Sequence, residues 1–213
     1  MSETRARKIP TKEKVLHAAE VLFAEHGFTE TSLRQITERA GVNLASVNYH
    51  FGSKKALIQA VFERFLAAYF ETVDERLIEI EKNNQINART ILRAMGEALL
   101  SLDKMRPDGM SIFLKLLWRA YAESQGHLRK LMMLRHGHTA RRFFRLVYQA
   151  LPNRTPEDIF WRLHFAMGAT VFALSGKRAL SEISEDEFGV TSESEAIVER
   201  LVDFISGGLA TNS

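Results

Sequence analysis

The chain has 213 residues, 46% of them hydrophobic, with 12 Gly, only 4 Pro, no Cys and a formal net charge of +3. That length and apolar content allow a substantial core, and the scarcity of proline and of strand-like alternation points to an almost entirely helical protein. Without cysteine, disulfides and thiolate metal sites are excluded, and a polar, basic amino terminus with no apolar stretch behind it leads us to expect a cytoplasmic protein.

The first eleven residues form a basic arm, in which Arg5, Arg7 and Lys8 face only Glu3. Two readings stand side by side: a solvated tail, or an arm that touches phosphate or the minor groove. A helix follows from Thr11 to His26, with Val15, Leu16, Ala19, Leu22 and Phe23 on one face. Gly27 ends it, and Phe28 is left to close over the core.

The stretch Thr31–Leu57, TSLRQITERAGVNLASVNYHFGSKKAL, carries the densest information. Thr31 or Ser32 can cap a short helix with Leu33, Ile36 and Ala40 at helical spacing, and Gly41 makes the turn. Asn43 then caps a second helix, Leu44 to His50, in which Val47 and Phe51 turn inward. Ala45, Ser46, Asn48, Tyr49 and His50 point outward. Helices joined by so brief a turn cross steeply, so the second can enter the major groove while the first braces it. Tyr49 and His50 have reach for phosphate, whereas Asn48, Ser46 and Ala45 suit base edges or thymine methyls.

Ser53 caps the next helix, which opens with Lys54 and Lys55. Cations at a helix start oppose the macrodipole by roughly 0.3–1 kcal/mol each, and an anionic phosphate at that point gives their placement a reason. Charge agrees: up to Arg64 there are ten Lys and Arg against seven Asp and Glu, and the remainder of the chain is balanced.

The first 65 or so residues, including AAEVLFAEHGFTETSLRQITERAGVNLASVNYHFGSKKALIQAVF, resemble the DNA-binding domain of TetR-family transcriptional repressors. The resemblance implies an all-α fold, with a helix-turn-helix domain over 1–52 (arm 1–11) and a helical ligand-binding and dimerisation domain over 53–213. It places Thr31, Ser32, Arg34 and Gln35 near phosphates or groove edges. Asn43 and Leu44 through His50 become the recognition helix, with Tyr49, His50 and Lys54 on the DNA backbone and Lys55 beside them. A ligand-responsive repressor that binds a palindromic operator as a homodimer is the implied function.

Helical patterns continue over 53–81, 88–103, 109–121 and 127–151. Their core is rich in long, deformable and aromatic side chains, which serve either as plain packing or as the lining of an apolar cavity. Since the family binds small effectors in this domain, Met95, Leu99, Phe113, Leu117, Trp118, Met132, Phe143 and Phe144 are the expected lining. The segments SIFLKLLWRAYAESQGHLRK, DIFWRLHFAMGATVFALSGKRAL and DEFGV resemble the PsrA-like, fatty-acid-responsive branch. That implies a long-chain fatty acid or acyl-CoA as effector and control of fatty-acid metabolism. A carboxylate would need a cation, and Arg119, Arg135, Arg141 or His136 could supply it.

The run Ile159–Gly176 is apolar but is interrupted by Arg162 and His164 and closed by Lys177 and Arg178, so a buried helix is expected and no membrane span. One recognition helix reads too few base pairs alone, which calls for pairing of subunits. By resemblance the last two long helices, 156–180 and 194–209, form the interface. Trp161, His164, Phe165, Gly168, Phe172, Ile197, Leu201, Phe204 and Ile205 are its expected residues, with intramolecular core as the competing reading for each.

No catalytic constellation emerges. His136 and His138 stand about 200° apart on a helix, which is wrong for a shared metal, and Glu182, Glu185, Asp186 and Glu187 read as a solvated acidic loop. The expectation is no enzyme, no metal and no cofactor. A helical lipid-binding or scaffold protein without specific DNA binding is the alternative, and it leaves Thr31–Lys55 unexplained.

Overall fold

The computed structural model describes residues 9–210, so the part of the basic arm before Ile9 lies outside the described residues. Thr11–His26 forms α1, whose apolar face buries Val15, Leu16, Ala19, Leu22 and Phe23. Gly27 then turns with φ +88, a conformation that strains any residue with a Cβ and so favours glycine, and a Cβ there would also displace the Glu123 carboxylate that packs on this corner. Leu33–Ala40 is α2, ended by left-handed Gly41, and Leu44–Phe51 is α3. Val47 and Ile36 are fully buried, which fixes these two short helices onto α1.

Lys54–Lys82 forms α4, 29 residues without a break, or about 43 Å of helix. Its first turns complete the first core: Leu57, Ile58, Val61 and Phe62 are buried, and the Phe62 ring lies 5.9 Å from that of Phe28. Farther on, Phe65, Val73 and Leu77 enter the second core. One rigid element therefore shares its packing between the two halves of the chain.

The second half is Ala88–Met105 (α5), Gly109–Ala122 (α6), Gly126–Ala150 (α7), Pro156–Ser175 (α8), Lys177–Phe188 (α9) and Ser194–Ala210 (α10). No strand occurs among the described residues. α5 packs antiparallel between α4 and α10, and α7 lies along α4. Within α7 the helix kinks at His136, whose ring stacks on Phe70 at 4.9 Å and whose Nε2 is 3.4 Å from a Glu63 carboxylate oxygen.

Two expectations need correction. The helix expected over 156–180 ends at Ser175, because Gly176 departs from helical geometry and starts a separate helix. Glu182, Glu185, Asp186 and Glu187 lie in that helix and not in a loop; Arg178 pairs with Glu182 one turn on at 3.0 Å, and left-handed Gly189 closes the end. None of its residues is buried. Among the described residues no helix is long and apolar enough to cross a membrane.

A charged junction joins the halves. Glu20 on α1 is fully buried, with Arg64 of α4 at 3.1 Å on one oxygen and Arg106, just after α5, on the other. Burying a carboxylate is costly unless it is paired, and here two guanidinium groups do so.

Candidate nucleic-acid interface and ligand cavity

The α2–turn–α3 unit is set by its own side chains. Ser32 and Gln35 form a capping box, with the Ser32 amide donating to Gln35 Oε1 at 2.7 Å and the Gln35 amide to Ser32 Oγ at 3.2 Å. Asn43 Oδ1 accepts from both the amide and the hydroxyl of Ser46 at 2.9 Å. Ser46 thus has its proton committed and keeps only lone pairs for a base edge.

The outer face of α3 is free. Tyr49 is 86% exposed, Leu44 is half exposed, and Ala45, Asn48 and His50 are also exposed. The rings of Tyr49 and His50 meet edge to face at 5.1 Å, and neither makes a hydrogen bond to another described residue. Lys55 is exposed and likewise unpaired. Such a face offers donors, acceptors and one cation with no internal obligation, which is what groove and phosphate contacts use.

Three expected residues have other duties. Thr31 is 1% exposed, and its hydroxyl donates to the carbonyls of Gly27 at 2.7 Å and Leu22 at 3.1 Å; its side chain belongs to the core and cannot reach DNA. Lys54 is partly buried and donates to the Thr29 carbonyl at 3.2 Å, so it ties α4 to the α1–α2 turn. Arg34 pairs with Glu38 one turn on at 2.9 Å, though both are well exposed.

In the second half a cavity of about 640 Å³ opens between α4, α5, α6, α7, α8 and α10. Seven of the eight expected lining residues line it. Trp118 is the correction: it is 60% exposed, on the outer face of α6. Along α7 the lining runs from Arg129 to Phe144 and along α8 from Phe160 to Leu174, about 20 Å of helix on each side. The cavity is therefore long as well as apolar.

Sequence reasoning named none of its polar lining residues as such. None of Arg119, Arg135, Arg141 or His136 lines the cavity; Arg119 donates to the Glu25 carbonyl at 3.0 Å instead, and His136 faces Glu63. Arg129 does line it. A helical-spacing signal existed, since Arg129 shares a face with Met132 and Met133. Tyr69, buried on α4, also lines the cavity, and its hydroxyl meets only the Met95 thioether at 3.6 Å. Burial pushes that phenol well above its ordinary range, so it stays a proton donor.

On α8 the surface next to the cavity wall carries an aromatic stripe. Trp161, Phe165 and Phe172 are 52%, 68% and 70% exposed, Gly168 sits among them, and Phe204 of α10 is 73% exposed. Of the other residues expected there, Ile205 is buried, and it lines the cavity with Leu201 and His164; Ile197 packs partly against the core. These four face inward because α8 and α10 each carry two apolar stripes, and spacing alone does not say which one meets the core.

α6 links the cavity to the first three helices. Tyr121 lines the cavity, and two residues later Glu123 accepts from the Phe28 amide at 2.9 Å and from the Thr29 amide and hydroxyl.

Two family models match: that of bacterial regulatory proteins of the tetR family over residues 15–61, and that of the tetracyclin repressor-like C-terminal domain over residues 93–208. Over 78 residues the chain is 33% identical to the HTH-type transcriptional regulator UidR of Escherichia coli K12, covering 35% of this chain and 40% of that protein. The chain matches less than half the length of its curated relatives. Among solved structures, the fold is similar to the fatty acid degradation regulator FadR from Bacillus halodurans, with a TM-score of 0.60 at 14% identity over 97% of this chain and 100% of that one. A TetR-like transcriptional regulator from Rhodococcus sp. RHA1 gives 0.56 at 20% identity, over 96% and 100%. At such identities the likeness is one of fold.

Proposed function

The chain belongs to the TetR family of helix-turn-helix transcriptional regulators, and from that premise we propose that it is a cytoplasmic, homodimeric repressor released from a palindromic operator by an apolar effector. Regulators of this family are not enzymes. The observation that carries the proposal is the double engagement of α6, which lines the cavity through Tyr121 and grips the α1–α2 turn through Glu123. A ligand that moves α6 or the long α4 moves the recognition helix with it, and release follows where the ligand binds that conformation more tightly.

Pairing of subunits is supported by the aromatic stripe of Trp161, Phe165, Phe172 and Phe204, since apolar area of this kind is buried in a stable assembly. The long apolar cavity favours a long-chain fatty acid or its acyl-CoA as effector, with fatty-acid metabolism as the regulated process. Its fold neighbour FadR is named for fatty acid degradation, which agrees with that choice.

Selection of duplexes on the purified protein, followed by release assays with fatty acids and acyl-CoA thioesters, tests the reading. An enriched palindrome released by a long-chain acyl compound is the expected result. Failure to enrich any palindrome favours a helical lipid-binding protein without specific DNA recognition.

A further inference from the structure

Of the polar residues that line the cavity, His164 and Thr170 bond to carbonyls one turn back in α8 and Tyr121 is half exposed, whereas Tyr69 and Arg129 lack an adequate partner among the described residues. Tyr69 is nine-tenths buried, and a thioether is a weak acceptor at 3.6 Å, so its hydroxyl stands close to unsatisfied. A buried donor left in that state costs free energy that a ligand oxygen can recover. Arg129, the only Lys or Arg among the described lining residues, makes no hydrogen bond or ion pair to any described residue. Every other described arginine of α7 is placed off the cavity; Arg142 and Arg145, for example, are held by Asp74 and Glu81.

Position matters as much as chemistry. Tyr69 stands on α4, in ring contact with Phe113 at 5.6 Å and with Phe70 at 5.4 Å, inside the packed wall. Arg129 stands near the start of α7, exposed while it lines the cavity. A ligand that satisfies both carries a charge for the exposed Arg129 and holds an oxygen within the apolar body that meets the buried Tyr69.

Building on the effector reading above, we propose that the cavity selects an oxygenated acyl anion, a hydroxy or oxo fatty acid, whose carboxylate is held by Arg129 and whose chain oxygen accepts a hydrogen bond from the Tyr69 hydroxyl. A plain fatty acid meets only the first requirement. It leaves Tyr69 facing hydrocarbon.

The test is tryptophan-fluorescence or calorimetric titration of the full chain with myristate, 1-tetradecanol and a panel of hydroxymyristates that differ in where the hydroxyl sits. At least one hydroxymyristate binds about tenfold tighter than myristate, and myristate binds about tenfold tighter than the alcohol. Tyr69→Phe keeps the ring packing and abolishes the first preference while retaining the second. Arg129→Gln does the reverse. Equal affinity of native protein for myristate and every hydroxymyristate, or a hydroxyl preference that survives in Tyr69→Phe, overturns the proposal and leaves an apolar effector site standing. If none of these compounds binds, the effector reading falls as well.

Discussion

Glu123 accepts hydrogen bonds from both the amide and the hydroxyl of Thr29, at 2.7 and 2.8 Å, across more than ninety residues of chain. A third bond, from the Phe28 amide, makes its carboxylate the clasp by which the second half of the molecule holds the α1–α2 turn.

The clasp has a pH signature. Burial pushes the Glu123 carboxyl up, but hydrogen bonds from Thr29 and Phe28 and the charge of Arg119 outweigh that and hold it below the usual carboxylate range. A depressed folded pKa gives stabilisation that is complete above the unfolded value and is lost as pH falls through the folded one. Urea unfolding at a series of pH values is expected to show a shallower acid loss in Glu123→Gln than in the native protein, with about 1 kcal/mol less stability at neutral pH. The variant's operator affinity also responds less to effector.

Thr31→Val tests the buried hydroxyl. Removing the donor leaves the Gly27 carbonyl without its 2.7 Å bond, at a cost of about 1–3 kcal/mol. Thermal unfolding shifts down while the preferred operator sequence stays the same. Altered preference at equal stability would put Thr31 at the DNA surface after all.

The α3 face and the two lysines separate by readout. Asn48→Ala changes which base pairs are preferred, because its exposed amide suits a base edge. Lys55→Ala weakens binding to all duplexes alike and lowers the salt slope by about one. Lys54→Ala acts first on stability, since its ammonium is engaged with the Thr29 carbonyl. A selection repeated on each variant, with binding measured across salt concentrations, resolves the three.

Phe165→Lys and Phe172→Glu place a charge in the exposed stripe of α8. Sedimentation of these variants is expected to give a monomer with retained helicity and at least about tenfold weaker operator binding. A dimer of unchanged affinity would move the interface elsewhere.

Much of the fold was legible in the chain because its punctuation is local. Gly27 and Gly41 end helices by their backbone freedom, and Asn43 and Ser53 begin them by side-chain bonds within three residues. α1 occupies the expected span for this reason. The break at Gly176 was hidden because the apolar pattern of α8 continues into the glycine, and one glycine does not announce whether it stops a helix. Acidic residues near it then read as loop, although Arg178 and Glu182 sit at a helical spacing.

Sequence by itself determined the family, the helix-turn-helix and the existence of a methionine- and aromatic-rich second core, since these depend on neighbours three to seven residues apart. Tertiary structure decided what each polar side chain does there. Thr31 is buried by α1, Lys54 is engaged by the Thr29 carbonyl, and Arg129 rather than Arg119 lines the cavity. Helical spacing tells which residues share a face. Only the packing of distant helices tells whether that face meets solvent, core or cavity.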